Sequence, residues 1–298
     1  MRTVKTSQPS RILRIVAFAI APAILAFGLP GCVDDATTRT MAEHESVLAP
    51  LFKQGPTPME AATWAGDPYD SDKRARGTLL LANAPFGGAE AYLTLYREHL
   101  KDSSAQVQAV AIRALALHGT PDDVPRILPL ITSPEKMVRL EATRAMQRLY
   151  NPVAVPALVI RLDSDKEFEP EIRAEAATAL GQYAELKSLT ALIGALADSS
   201  LLVNTSAYQS LKTLTGVDSV PADLKAWVQW KNETRTPFAG QRKYVYPVYW
   251  RETTWMDHLP FRDPVPNEIA ATPVGFPDLE NRGATAPAAS GAGQVKPQ

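Results

Sequence analysis

The sequence predicts an all-α chain: an α-solenoid of about five helical hairpins, followed by a non-regular tail rich in proline and aromatic residues. Three observations carry this expectation. Four nine-residue segments superimpose without gaps, namely Val107–Leu115, Val138–Met146, Ile172–Leu180 and Val203–Leu211. Their fifth residue is always alanine (Ala111, Ala142, Ala176, Ala207), the eighth is small (Ala114, Ala145, Ala179, Ser210) and the ninth is long and apolar. Their starts lie 31, 34 and 31 residues apart, a period that marks stacked repeats.

Each segment reads as the first helix of a hairpin. Val107, Val110, Ala111, Ala114 and Leu115 recur at helical spacing and form one apolar stripe. The small positions lie where neighbouring helices cross, because a short side chain lets two backbones approach. Breaks follow at His118–Pro121, Tyr150–Pro152 and Gly181–Glu185, and second helices are predicted over Val124–Ile131, Val155–Leu162 and Leu189–Leu196. Pro125 and Pro156 fall in first turns, where a missing N–H loses nothing. Asp102, Thr132, Asp163 and Asp198, each followed by serine, close the units and offer short polar caps.

The end units are less regular, as end repeats are expected to be. A degenerate first unit spans Ser71–Lys101, with helices near Asp72–Ala82 and Gly88–Leu100. In the last unit, Val203–Lys231, Gly216 stops one helix. A final helix over Asp223–Lys231 then places Trp227 and Trp230 on one face. These two rings either close the open end of the core or form a platform for a ligand.

The segments Val138–Met146 and Ile172–Leu180 resemble HEAT repeats of the short type, about 30 residues long, found in phycobilin lyases and many bacterial proteins. The resemblance covers about residues 71–231 and implies a helical solenoid. Most members of that family bind other proteins, and the lyase members attach bilins. The Leu-Thr-Gly ending at Gly216 with the Trp-x-x-Trp helix after it looks like the terminal cap of some bacterial HEAT-repeat proteins.

The N-terminus reads differently. Arg2, Lys5, Arg11 and Arg14 precede an apolar run, Ile15–Leu29, which is shorter than the roughly 20 residues a helix needs to span a bilayer. A basic start, a short apolar stretch and a small residue before the cut are the parts of an export signal. Leu29-Pro30-Gly31-Cys32 resembles the lipobox of bacterial lipoprotein precursors, with Pro30 an uncommon residue at its place. That resemblance implies a signal peptide over 1–31 and a lipidated Cys32 as first mature residue. It also implies an envelope location. Val33 is not the Asp that retains many lipoproteins at the inner membrane, so the outer membrane, facing the periplasm, is expected. Residues 32–70, with Pro50, Pro56, Pro58 and Pro68, are expected to be a tether, with one short helix possible over Thr40–Phe52.

Composition narrows the function. Cys32 is the only cysteine, so no disulfide within the chain and no Cys-based zinc site can form. The four histidines lie far apart. With residues 1–31 removed, four basic residues go and the formal charge of -1 becomes -5, a poor basis for binding nucleic acid. No P-loop, dinucleotide glycine fingerprint, G-x-S-x-G or H-E-x-x-H occurs. No catalytic residue, cofactor or metal is assigned.

Two further stretches stand out. The 34-residue step contains Asp163, Asp165, Glu167, Glu169 and Glu171. These acids read as a solvated loop or a calcium loop, but Phe168 stands where an EF-hand needs glycine. The tail divides into an aromatic, proline-rich arm over 232–280 and a terminal stretch over 281–298 of disordered composition. The arm either wraps back on the solenoid or docks a partner, tyrosine and tryptophan being enriched at binding hot spots. Candidate partner-binding residues are Trp227, Trp230, Tyr244, Tyr246, Tyr249, Trp250 and Trp255. The leading expectation is a membrane-anchored scaffold for an unidentified protein partner. The rivals are a lyase-type enzyme or accessory factor with a pocket on the solenoid, and an envelope protein that binds wall polymer through its aromatic tail.

Overall fold

The computed structural model describes residues 56–248, 252 and 268–279. Export signal, Cys32 and the possible helix over Thr40–Phe52 lie outside the described residues. The fold is all-α, a stacked series of helix pairs.

The first helix, α1 (Pro58–Ala65), lies in the stretch expected to be a tether. A capping box starts it: Thr57 Oγ1 accepts from the Glu60 N–H at 3.2 Å, and the Glu60 carboxylate accepts from the Thr57 N–H at 2.7 Å. Pro58 occupies the first turn, where it favours a helix rather than a linker. Ala61 and Ala65 are buried against the next helix.

Five hairpins follow. They pair α2 (Ser71–Ala82) with α3 (Glu90–His99), α4 (Ala105–His118) with α5 (Val124–Ile127), and α6 (Lys136–Arg148) with α7 (Val155–Leu162). The last two pair α8 (Pro170–Leu180) with α9 (Leu186–Ala195), and α10 (Leu201–Thr215) with α11 (Leu224–Glu233). First helices stack on first helices in chain order. The expected helix over Val124–Ile131 is instead α5 followed by a 3-10 turn, Leu128–Thr132. Pro129 has no N–H to give the Pro125 carbonyl, so the α-helical ladder cannot continue.

The stacking seam is built from the recurring small residues. Ala111, Ala142, Ala176 and Ala207 have no exposed surface, nor have Val107, Val138, Ile172 and Val203. In the first unit the same place in the helix is Gly77. A Cβ there would stand 2.3 Å from the Ala65 nitrogen, so α1 packs closer to α2 than alanine permits.

The second residue of each nine-residue segment tethers the unit junctions. Arg74 Nη1 donates to the Asp67 carbonyl before its helix, and its other nitrogens grip Asp102 at the end of its unit at 2.8 and 3.0 Å. Arg139 bonds the Ser133 carbonyl and Glu167 in the same way, and Arg173 bonds the Glu167 carbonyl and Asp198. Gln108 and Asn204, shorter and uncharged, keep only the carbonyl bond, to Asp102 and Leu196. Each arginine thus joins the two loops that flank its own hairpin.

The C-terminal arm turns back after α11 and runs along the inter-helix turns against the order of the repeats. The reversal is close: Gly216, at φ 75°, ends α10, and a Cβ on it would lie 2.0 Å from the Gly240 carbonyl oxygen. Arg242 N–H donates to the Thr213 carbonyl, and Gln241 reaches the Gln182 carbonyl. Farther on, the Val274 N–H donates to the Arg148 carbonyl and the Tyr150 N–H to the Val274 carbonyl, a single parallel bridge. Gly275, at φ 81°, lies against Pro121 in the second hairpin. The arm therefore touches the turns of the second to the fifth unit.

Candidate functional site: protein-interaction surfaces

Three places on this framework bear on function: the capped end, the turn edge under the arm, and the outer face of the second helices. At the capped end Trp227 is 0% exposed. Its ring meets Trp230 at 5.3 Å and Tyr208 at 6.5 Å, both edge-on. Trp230 packs partly buried against the same core. Trp227 is therefore a core residue and has no surface to offer a partner, a correction to its place among the candidate binding residues. Spacing along a helix gives the face but not what covers it.

Two arm tyrosines are also held inward. Tyr244 is 4% exposed, and burial pushes its hydroxyl well above the ordinary range. The Arg148 guanidinium lies 4.5 Å above the Tyr246 ring. The same arginine forms a bidentate ion pair with Glu268. Next to it the Tyr246 N–H donates to the Ala271 carbonyl at 3.1 Å. Arg148 thus pins together the two ends of the stretch that carries Tyr249, Trp250 and Trp255, which lie outside the described residues. Tyr150 completes the seat, stacked on Tyr183 at 5.1 Å and meeting Phe276 edge-on at 5.5 Å.

The acidic insertion stays largely in water, with Asp163 and Asp165 exposed, and only Glu167 is drawn into the fold. The Glu167 side chain is 2% exposed and receives hydrogen bonds from Arg139 and Arg161. Burial works against its charge. The Arg139 hydrogen bonds and the Glu169 N–H outweigh that, so the carboxyl is held below the ordinary range. Glu169 and Glu171 pair with Lys136, and Glu171 also with Arg144. Among the described residues no group of three or more His, Cys, Asp or Glu is placed to hold a metal ion.

The second helices leave a groove that sequence reading did not find. Between α7 and α9 lies an open cleft of about 630 Å³, lined by Pro156, Val159, Leu186, Lys187, Thr190 and Ala191. Leu186 is 61% exposed, and Ile160 in α7 and Val153 just before it are also exposed. Lys231 reaches from α11 to bond Thr190 Oγ1 at 2.8 Å. The available signal was the apolar residues on both sides of the second helices, which inner packing alone does not require.

Comparison with known families now adds one finding. Residues 94–169 match the family model for HEAT repeats. The match runs from α3 to the residue before α8, and the same hairpin geometry continues on both sides of it. No curated protein matches the chain. The HEAT-like repeats make a helical scaffold of the kind that mediates protein–protein contacts. Among the described residues no helix is long and apolar enough to cross a membrane.

Proposed function

We propose that the chain is a lipid-anchored scaffold that holds a protein partner at a bacterial envelope membrane, on the periplasmic side of the outer membrane. The observation that carries the scaffold reading is the open apolar groove between α7 and α9, on a stack whose turn edge is already occupied by its own arm. Support for the anchor comes from the Leu29–Cys32 tetrapeptide and from the restriction of cysteine to that one place. Two or more acyl chains, at about 0.8 kcal/mol per buried methylene, hold a protein stably where one does not. Tyr249, Trp250 and Trp255 supply a second contact with the partner, presented on the stretch whose base Arg148 pins.

Two measurements test this. Mass spectrometry of the mature N-terminus is expected to find acylated Cys32, and Cys32→Ser is expected to release the chain from membranes. An unmodified N-terminus upstream of residue 32 refutes the anchor. Crosslinking in the native envelope is expected to join the second-helix face to one recurrent protein. Crosslinks scattered over all faces with no recurrent partner refute the scaffold.

A further inference from the structure

The outer face of α7 and α9 has a feature that the fold itself does not explain. Gly194 is exposed in the last turn of α9, and a Cβ added there meets no heavy atom within 4 Å. Its φ is not positive, so no backbone constraint demands glycine. Glycine weakens a helix relative to alanine. By helical spacing it lies on the stripe of Lys187, Thr190 and Ala191, which line the groove. The floor of that stripe falls from Leu186 through Ala191 to Gly194, as it would for a backbone that approaches from outside.

The charge of the groove narrows the occupant. None of the lining residues is acidic, Lys187 stands on the rim, and Lys231 crosses to Thr190. One carboxylate stands at the start of the groove, Glu185, the N-cap of α9 beside Leu186, and Asp163 lies at the far end of α7, so the two lysines leave the flank net positive. Two parallel helices of 8 and 10 residues give a channel about 12–15 Å long, which seats two to three turns of a third helix. We infer that this groove binds an amphipathic helix of a partner protein, with its apolar stripe on Pro156, Val159, Leu186 and Ala191. Its backbone passes over Gly194, and acidic side chains flank the stripe to meet Lys187 and Lys231. The mode is helix-in-groove recognition. The inference rests on the scaffold reading and names the chemistry of its partner.

The test uses the full chain in lipid nanodiscs and two synthetic 14-residue helical peptides. Both carry leucine at helical spacing, one with glutamate and the other with lysine at the flanking positions. Fluorescence anisotropy is expected to show saturable binding of the acidic peptide, at least tenfold tighter than the basic one. Gly194→Leu is expected to weaken it tenfold or more while leaving the thermal midpoint unchanged or higher, since the Cβ it adds meets nothing within 4 Å and glycine weakens a helix. Lys187→Glu with Lys231→Glu is expected to reverse the preference between the peptides. Equal or tighter binding of the basic peptide, no saturable binding of either, or indifference to Gly194→Leu overturns the inference. If crosslinking in the envelope still captures a partner with Gly194→Leu, the groove assignment fails and the scaffold survives. If capture is lost with that variant, the two stand together.

Discussion

At the residue scale the fold depends on side chains too small to obstruct. Ala142 and Ala176 sit without exposed surface where first helices cross, so an added isobutyl group has nowhere to go. Ala142→Leu or Ala176→Leu is expected to cost about 1–3 kcal/mol, read as a lower thermal midpoint by circular dichroism. An unchanged midpoint refutes the register of the seam. The junction arginines act oppositely, through charge. Arg173 and Asp198 are both 5% exposed and joined by two hydrogen bonds. Arg173→Met leaves a buried carboxylate unpaired and is expected to cost about 3–5 kcal/mol, whereas changing both partners to apolar residues costs far less. A double variant as unstable as the single one contradicts this. The alanine column was legible in the sequence because steric need repeats with the period. The arginine pairs were not, because the acid they grip moves with each loop, from Asp102 to Glu167 to Asp198, and two units use Gln108 and Asn204 instead.

At the scale of elements, the arm and α1 show where pattern reading stops. Helix α1 carried a Thr-x-x-Glu start at Thr57 and Glu60, but the prolines around it suggested a linker. The arm has no period at all. Much of its grip on the turn edge is made with backbone groups, those of Thr213, Arg148 and Tyr150, which any sequence supplies, and the rest with scattered side chains such as Arg148, Arg242, Tyr244 and Phe276. Arg148→Ala removes the Glu268 pair and the contact with the Tyr246 ring together. The variant is expected to expose the arm to limited proteolysis between residues 240 and 280, while cleavage within α4 to α10 stays slow. Equal protection in variant and parent shows that Val274, Gly275 and Phe276 hold the arm without it. Of the candidate site, the tryptophan pair was visible by spacing, and of its two readings the structure takes closure of the core end, with Trp227 buried. The groove left only a faint mark, apolar residues on the outer side of the second helices, because its shape arises only when α7 and α9 lie side by side.

Across the whole molecule, the junction carboxylates and one histidine set how stability responds to acid. The Arg74 hydrogen bond holds Asp102 below the ordinary carboxylate range. For Asp123 and Asp198 burial raises the value, but the pairs with Arg97 and Arg173 outweigh it and both are lowered. Groups depressed in the folded state add stability that is complete above their unfolded value and is lost as pH falls through the folded one. His99 is also lowered, first by burial, so the folded chain resists its protonation. Its loss follows the same direction but begins earlier, near an unfolded value of about 6.5, while the acids begin near 4. Thermal midpoints are expected to hold from pH 8 to 7, to decline gently toward pH 5, and to drop steeply below 4. His99→Gln is expected to remove the gentle step alone. A midpoint that rises on acidification refutes the assignment.

The backward course of the arm also has a consequence in time. Glu268 follows its partner Arg148 by 120 residues. A ribosome working at about 5–20 residues per second therefore finishes the third hairpin several seconds or more before it makes the strand that seals it. Through that interval the Tyr150 ring lacks the Phe276 ring and its N–H lacks the Val274 carbonyl. A chain halted after residue 183 and before residue 268 presents the stacked Tyr150 and Tyr183 rings with no Phe276 against Tyr150, a flank open to any chaperone or sister chain nearby.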